Sequence, residues 1–326
     1  MPTRVAVLCT SAAQKAFEYF RPYIVANATG VPRLGDAEFI YNPDGGEFDA
    51  AVVWQSVAAL ERTYSLTVPP TRTLLTILEP PDVLTLPDGY TREFAGVLGP
   101  DVSVRCDRRF LRGGGHHWFV ELTAAEALEQ PLKEKPRLIS AVVSAKTDTT
   151  GHRRRLAFMK DLKDHFGDRL DWFGRGIRNL GARKLNSLAE YRYHVVFENG
   201  AWPHYWTEKL ADAFVANCLP FYWGDPGVSD SFSPDSYVPI DVDNITGTIT
   251  VLEQAIADDW WSQRQVALAE SRRRVVQDFH PFRIWLDCLA ALPLSSPRMT
   301  NLQPFDRFPL SLLQRVRLKL RRLRGS

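Results

Sequence analysis

Short, nearly continuous apolar runs alternate with polar stretches along the first 120 residues. Four of these runs have the length of a strand and are bounded by proline, glycine or aspartate; their sequences are RVAVLC, FDAAVVW, RTLLTIL and FAGVLG. Strands that helices cover on both faces have this composition, because neither face meets water. The pattern predicts a first α/β unit over residues 4–120.

A second alternation of the same kind follows the polar segment 126–137, whose two prolines predict a linker. Strands are expected at RLISAVVS, LDWFG, HVVF, LPFYWG and SYVPI, and helices at TEKLADAF and at residues 151–166, 187–191, 248–256 and 260–279. Two units of similar size predict an α/β protein in which two Rossmann-like domains face each other across a cleft. We place these domains at 1–130 and 136–295.

Composition excludes several classes of protein. The chain of 326 residues is 45% hydrophobic and 24% charged, which is ordinary for a globular protein. It has no run of about 18 apolar residues, so no transmembrane helix is expected, and the apolar stretch at the amino terminus is too short for a signal peptide. Four scattered cysteines without CxxC spacing favour a reducing, cytoplasmic setting.

Charge is concentrated at the carboxyl terminus. Six basic residues and no acidic residue follow Pro309, while the whole chain carries +2, so the first 309 residues sum to −4. Such a mildly acidic body argues against nucleic-acid binding.

The basic segment 304–326 also carries apolar residues at helical spacing, at Leu313, Val316, Leu320 and Leu323. This pattern predicts a basic amphipathic helix that contacts an anionic membrane surface. We therefore expect a cytoplasmic protein that is peripheral on the inner face of the cytoplasmic membrane. A helix docked on the body and a disordered basic tail are the alternatives.

The segment 191–224 carries most of the candidate chemistry. Its pattern predicts a buried strand, a turn, a helix capped by Thr207 and a second buried strand, which places a helix N-terminus at the carboxyl edge of a parallel sheet, where anions bind. The helix dipole disfavours Lys209 at this end by about 0.3–1 kcal/mol. A bound anion would explain the lysine; a solvated surface lysine is the alternative.

The motifs FEN, YWTEK, PFYWG and SYVPID between residues 191 and 241 resemble the signature of the family 10 glycosyltransferases. These are the α-1,3/1,4-fucosyltransferases, and the soluble bacterial type is the most similar. The resemblance implies a GT-B fold, GDP-fucose as the donor substrate and inversion at the anomeric carbon. It also implies that the first domain binds the acceptor and the second domain binds the donor.

The resemblance assigns roles to residues of this motif. It implies that Lys209 pairs with the donor pyrophosphate, that Glu208 binds donor hydroxyls, and that Asn199 and Tyr205 line the donor pocket. Trp202 is a candidate acceptor contact, because sugars stack on aromatic faces; a core tryptophan is the alternative.

Two further roles lie outside the motif. The family has an arginine seven residues before a leucine, which matches Arg155 and Leu162, although Arg153 and Arg154 adjoin it; a solvated helix face is the alternative. The family's general base corresponds to Glu79, after the RTLLTIL strand. Partial burial there would raise its pKa toward a useful range; an exposed acid at the strand end is the alternative.

No tightly bound metal or cofactor is expected. The sequence Asp241-Val242-Asp243 lies beyond the core donor motif, and adjacent His116 and His117 in an extended segment would point in opposite directions without an evident third ligand. A flexible loop near the acceptor is the favoured interpretation of the histidines.

The predicted function is inverting transfer of fucose from GDP-fucose to a hydroxyl of a glycan or glycolipid acceptor, of α-1,3 type and containing N-acetylglucosamine. Two alternatives stay open. One is the same fold with another nucleotide-sugar donor, and the other is a catalytically silent protein that binds sugar nucleotides or a membrane.

Overall fold

The structure, a computed structural model, describes residues 2–16, 31–113, 115–129, 134–147, 150–181 and 183–324. The chain divides into two compact units. Unit 1 contains Met1–His117 and Phe279–Arg324, and unit 2 contains Trp118–Asp278. Each unit has its own parallel sheet, which confirms the prediction of two α/β domains.

The amino-terminal part of unit 1 alternates strands with short helices. In chain order these are β1 Thr3–Leu8, α1 Ser11–Ala16, β2 Arg33–Leu34, β3 Ala37–Tyr41, β4 Ala50–Gln55, β5 Tyr64–Val68, β6 Thr73–Ile77, α2 Asp88–Thr91, β7 Gly96–Leu98 and β8 Arg108–Phe110. The main sheet has the order β2-β3-β1-β4-β6-β7-β8, and its neighbours are parallel except β2 and β3.

The four apolar runs that predicted strands in unit 1 are β1, β4, β6 and β7, and they lie side by side in the sheet. Every residue of β4 and β6 is buried, which explains why these runs do not alternate with polar residues. The four strands predicted in the first part of the chain are therefore confirmed, and they lie in the sheet of unit 1.

Unit 2 has a second sheet with helices between its strands. Its elements are α3 Ala124–Glu129, β9 Arg137–Val142, α4 Thr150–Phe166, β10 Leu170–Phe173, β11 Tyr191–Phe197, α5 Glu208–Val215, β12 Leu219–Trp223, β13 Val238–Pro239, α6 Ile245–Ala257, α7 Trp260–Gln263 and α8 Gln265–Gln277. All neighbours in the order β10-β9-β11-β12-β13 are parallel. Val195 pairs with Ala141 and Phe221, so the carboxyl ends of β9, β11 and β12 meet at one edge.

The chain returns to unit 1 after residue 278, through α9 Pro281–Ala290, β14 Arg298–Leu302 and α10 Leu312–Arg324. The Phe282 ring lies 4.4 Å from the Phe39 ring, centroid to centroid, and β14 pairs with β5. Residues 279–295 therefore pack in unit 1 and not in the second domain, where the sequence pattern places them. Helical spacing identifies the buried face of a helix, but it does not identify the core that the face joins.

The crossing from unit 1 to unit 2 lies between His117 and Trp118, before the predicted linker 126–137. Residues 124–129 of that segment form α3 in unit 2. The buried Asp212 carboxylate accepts the N–H groups of Phe119 (2.6 Å) and Val120 (3.1 Å). A tertiary contact therefore lies at the crossing between the units. The two prolines of the segment 126–137 indicate only positions that disfavour a helix, and they do not identify a boundary between domains.

Helix α10 confirms the predicted carboxyl-terminal helix. The Gln314 side chain donates to the Leu86 carbonyl (2.7 Å) and to the Asp88 carboxylate (3.0 Å), which attaches its first turn to unit 1. Leu312, Leu313 and Val316 are 78%, 49% and 47% exposed. In the part of the chain that the structure describes, no helix is both long enough and apolar enough to cross a membrane.

Candidate active site

Glu198, the residue directly after β11, occupies the centre of the carboxyl edge of the unit 2 sheet. Its side chain has no exposed surface. The carboxylate accepts the Thr207 N–H at 2.7 Å and the Thr207 hydroxyl at 2.6 Å, and the Lys209 ammonium lies 3.3 Å away. A strand end and a helix start are therefore joined through one buried carboxylate.

Lys209 lies in the first turn of α5, as predicted, and Thr207 is the N-cap, as predicted: its hydroxyl accepts the Lys209 N–H at 3.4 Å. The ammonium also donates to Thr207 Oγ1 (3.0 Å) and to Glu208 Oε1 (3.2 Å). Burial lowers the pKa of Lys209, but the Glu208 and Glu198 carboxylates outweigh it, and the pKa lies above its usual value. The lysine is therefore a fixed cation.

The pKa of Glu198 responds to opposing influences. Burial raises it, while the Lys209 ammonium and the two Thr207 donors lower it, and the net direction is upward. The Glu208 carboxylate adds to the rise. Three donors aimed at one buried carboxylate compensate for its loss of water.

Arg155 on α4 joins the same group. Its Nη1 donates to Asn199 Oδ1 at 3.3 Å, and the Asn199 amide reaches the Tyr205 hydroxyl at 3.5 Å. Burial lowers the pKa of Arg155, while Glu198 and Tyr205 raise it. The structure thus brings together the five candidate donor residues in unit 2.

The neighbouring arginines have other partners. Arg154 forms an ion pair with Asp243, and its guanidinium lies 5.9 Å from the centre of the Trp223 ring. Arg153 donates to the Thr147 carbonyl at 3.1 Å. Arg155 is therefore the arginine of the triplet that contacts Asn199 of the candidate site.

The loop before α5 is held by a second buried acid, Asp225. This carboxylate accepts the N–H groups of His204 (2.9 Å) and Gly227 (2.8 Å), and His204 has a positive φ of 62°. The Trp206 indole is buried and donates to Ser231 at 3.2 Å, whereas Trp202 is half-buried. Trp202 therefore stays a candidate for contact with an acceptor, while Trp206 is a core residue.

Gly224 ends the PFYWG motif because there is no room for a side chain. A Cβ at this position would lie 2.5 Å from Glu198 Cγ and would also overlap the Tyr222 ring. The glycine therefore allows the backbone after β12 to pack against the Glu198 side chain.

The sequence analysis did not identify Glu198 and Asp225 as the buried acids that hold the loop before α5 and the start of α5 in place. The available signal was an acid directly after each of two buried strands, in HVVFE and in FYWGD. Charged groups are rarely fully buried unless they are paired. Their burial depends on the parallel register that brings β11 and β12 together.

Glu79 lies in unit 1, two residues beyond β6, and is half-buried. The Pro80 carbonyl accepts the N–H groups of Val83 (2.9 Å) and Leu84 (3.0 Å), so a turn follows the acid directly. The position at a strand end is as predicted. Glu79 belongs to unit 1, whereas the five donor-site candidates belong to unit 2.

The histidine pair differs from the predicted flexible loop. His117 is 7% exposed, and its ring lies 5.6 Å from the Trp54 ring, edge to face. Within the described ranges, no group of three or more His, Cys, Asp or Glu side chains has an arrangement that could hold a metal ion.

Part of this chain is similar to a known protein family. Residues 132–254 match the family model of the glycosyltransferase family 10 (fucosyltransferase) C-terminal domain. The α-(1,3)-fucosyltransferase FucT of Helicobacter pylori is 32% identical over 131 residues, which are 35% of this chain and 27% of that protein. The α-(1,3)-fucosyltransferase B of Drosophila melanogaster is 26% identical over 106 residues, which are 28% of this chain and 23% of that protein. The chain thus spans about a quarter of the length of these relatives.

Solved structures show the fold. An α1,3-fucosyltransferase with GDP superposes on 86% of this chain and 93% of its own, with a TM-score of 0.52 and 15% identity. A structure of an α1,3-fucosyltransferase with GDP-fucose covers 86% of this chain and 92% of its own, with a TM-score of 0.50 and 15% identity.

The two parallel sheets and these superpositions show that the chain has the GT-B fold. Residues 132–254 are similar to the C-terminal domain of glycosyltransferase family 10, the fucosyltransferases. This is the family that the FEN, YWTEK and PFYWG motifs resemble.

Proposed function

We propose that the protein is an inverting fucosyltransferase that uses GDP-fucose and a hydroxyl of an N-acetylglucosamine-containing glycan, with α-1,3-type linkage. The proposal is carried by one observation: Glu208 and Lys209 at the start of α5 lie in one group with Arg155, Asn199 and Tyr205, inside the family 10 domain. A similar fold that was solved with GDP-fucose supports the choice of donor.

The cations of this group suit a diphosphate leaving group. Negative charge builds on the diphosphate as its bond to the sugar breaks, and Lys209 and Arg155 are already held in place by Glu198 and Asn199. Donors that are fixed before the reaction stabilise such charge most effectively. Glu208, beside them, accepts hydrogen bonds from sugar hydroxyls.

Glu79 is the proposed general base. It takes the proton of the acceptor hydroxyl while the oxygen attacks the anomeric carbon on the face opposite the nucleotide, and GDP departs with the bonding electron pair. This displacement inverts the configuration of the anomeric carbon. The protein's cations do the work that a divalent metal does elsewhere, so we propose that no tightly bound metal is required. Asp243, in the sequence Asp241-Val242-Asp243, forms an ion pair with Arg154.

The basic helix α10 is proposed to hold the enzyme at an anionic membrane surface on the cytoplasmic side, where a glycolipid acceptor would be available. Its exposed Leu312, Leu313 and Val316 suit the interface, and each basic residue near such a surface contributes about 1 kcal/mol.

The function is tested with a panel of GDP- and UDP-sugars, measuring thermal shift, nucleotide release and product formation with and without EDTA. We expect a response to GDP-fucose that EDTA does not remove. Stabilisation by UDP but not GDP would overturn the donor, complete and reversible loss in EDTA would overturn metal independence, and binding without any transfer would favour a catalytically silent sugar-nucleotide-binding protein.

A further inference from the structure

A turn over residues 202–205 lies between the end of β11 and the start of α5. The Tyr205 N–H donates to the Trp202 carbonyl at 3.1 Å, so Pro203 and His204 are the two central residues of the turn. A positive φ at the second central position is typical of a type II turn, and that position favours glycine. His204 has a φ of 62°. A residue with a side chain therefore occupies a position at which glycine is the least strained choice.

The backbone of His204 is held by the Asp225 carboxylate. Asp225 is 4% exposed, and its Oδ1 accepts the N–H groups of His204 at 2.9 Å and of Gly227 at 2.8 Å. The Asp225 N–H donates to the hydroxyl of the buried Tyr222 at 2.8 Å. The carboxylate is itself fixed in the structure, so it can enforce the conformation of the turn.

The aromatic side chains of the turn and of the residue that follows it differ in burial. Tyr205 and Trp206 are buried, whereas Trp202 and His204 are half-buried. An indole offers an apolar face on which a pyranose ring can stack, and an imidazole offers a nitrogen for a hydrogen bond with a hydroxyl. Backbone strain persists where the surroundings enforce it, and it is concentrated at functional sites. The pair therefore suits a neutral sugar ring.

We propose that Trp202 and His204 form a subsite for a neutral pyranose ring of the acceptor, and that Asp225 is the positioning residue that holds their turn. This inference rests on the proposed function, in which Glu208 binds the donor hydroxyls, and it adds an acceptor contact in unit 2. Asp225 acts through the backbone of His204 and does not itself contact the sugar. Both of its hydrogen bonds to N–H groups end on the same oxygen, Oδ1. The role therefore depends on that oxygen and not on the negative charge.

The first experiment replaces His204 by Gly, which keeps the turn and removes the imidazole. Glycine adopts a positive φ without strain, so the variant should fold. We expect kcat/KM for an acceptor that contains N-acetylglucosamine to fall about 3- to 10-fold, because one hydrogen bond is lost, while the Kd for GDP-fucose stays unchanged. An unchanged kcat/KM would overturn the subsite, and an equal rise in the Kd for GDP-fucose would place the turn at the donor and overturn it as well.

Asp259→Gly is the matched control for this experiment. Asp259 also lies in unit 2 and has a positive φ, of 48°, so the substitution makes the same change of backbone type at another place. It should leave kcat/KM for the acceptor as in the wild type. An equal loss in both variants would show a general effect of glycine and would overturn the role of His204.

Two substitutions of Asp225 separate the oxygen from the charge. Asp225→Asn keeps an oxygen for the N–H groups of His204 and Gly227, and its kcat/KM for the acceptor should match the wild type. Asp225→Ala removes that oxygen, and kcat/KM should fall about 10- to 100-fold, since displacement of a positioned group has effects of that size. Equal losses in the two variants would overturn the positioning role.

A double-mutant cycle tests whether Asp225 acts through His204. Glycine needs no partner to adopt a positive φ, so Asp225→Ala should lower kcat/KM for the acceptor much less in His204→Gly than in the wild type. In both backgrounds Trp202 is retained, so the remaining stacking contact reports on the turn. Equal losses in the two backgrounds would overturn the inference.

Hydrogen exchange without ligand separates this inference from the proposed function. Asp225→Ala should increase deuterium uptake over residues 202–206, because the turn opens locally, and Asp225→Asn should not. Wild-type uptake in a folded Asp225→Ala variant would overturn the positioning role; Asp225→Ser, whose side chain is shorter, replaces Asp225→Ala if that variant does not fold. If the wild type transfers no sugar, the proposed function and the subsite fail, while the exchange measurement still decides whether Asp225 holds the turn.

Discussion

Arg155 Nη1 lies 3.3 Å from Asn199 Oδ1, which connects α4 to the residue that follows the buried Glu198. This contact places one arginine of the triplet 153–155 in the candidate site, whereas the sequence alone leaves all three as candidates. Asn199 in turn reaches the Tyr205 hydroxyl, so the FEN and YWTEK motifs meet around Arg155.

The arginine triplet provides a direct comparison. Arg155→Ala should lower kcat about 10²- to 10³-fold, because a prearranged donor to the leaving diphosphate is lost. Arg154→Ala should change kcat by less than about threefold, since Arg154 pairs with Asp243 at the surface and surface substitutions have small effects. Steady-state kinetics on both variants checks this order; a larger loss in Arg154→Ala would contradict the placement.

Gly224→Ala should destabilise the protein. The new methyl group would lie 2.5 Å from Glu198 Cγ, and overpacking of this kind lowers the free energy of unfolding by about 1–3 kcal/mol. Gly227→Ala in the same unit is the control, because its Cβ would make only ordinary contact, at 3.4 Å from the Asp225 carboxylate; we expect a change within about 0.5 kcal/mol. Urea denaturation measures both variants, and equal stabilities would refute the steric argument.

Glu79→Gln should lower transfer about 10²- to 10⁴-fold by removing the general base, while the Kd for GDP stays unchanged because the base does not contact the nucleotide. Glu93→Gln, at an exposed position of unit 1, should leave both quantities as in the wild type. Calorimetry with GDP and a transfer assay with GDP-fucose provide the two readouts. Transfer at the wild-type rate in Glu79→Gln would exclude it as the base.

A fall in pH should weaken the contact between α6 and the residues at the carboxyl end of α4. Hydrogen bonding from Arg169, with a further bond from His165, lowers the pKa of Glu253 from 4.5 to about 2. A depressed carboxyl pKa contributes stability above pH 4.5 that is lost as the pH falls toward 2. Glu253→Gln should therefore have a lower Tm than the wild type at pH 6, and the two Tm values should converge near pH 2.5. A difference that does not depend on pH would contradict the linkage.

Binding of α10 to anionic vesicles should depend on its basic residues. Replacing Arg315 and Lys319 by Gln removes two charges worth about 1 kcal/mol each at such a surface, so vesicle affinity should fall about 30-fold while the helix and the Gln314 contact remain. Sedimentation with phosphatidylserine vesicles measures the change, and phosphatidylcholine vesicles are the control. Deletion of residues after Phe308 that left sedimentation unchanged would end the membrane proposal.

The sequence by itself determined four strands of the unit 1 sheet (β1, β4, β6 and β7) and the five strands of the unit 2 sheet. It also determined the helix capped by Thr207 and the motif that contains Asn199, Tyr205, Glu208 and Lys209. Apolar runs of strand length and local capping residues are short-range properties, so they can be recognised from the sequence alone. The same reasoning predicted Glu79 at the end of a strand.

Only the tertiary structure decided which acids are buried, which arginine joins the site and where the units divide. Glu198 and Asp225 become organising residues because parallel pairing of β11 and β12 brings the ends of these strands to one edge. Helix α9 joins unit 1 because Phe282 finds a partner in Phe39, more than 200 residues earlier. Such contacts depend on which surfaces meet in the folded chain, and the local sequence pattern does not identify those surfaces.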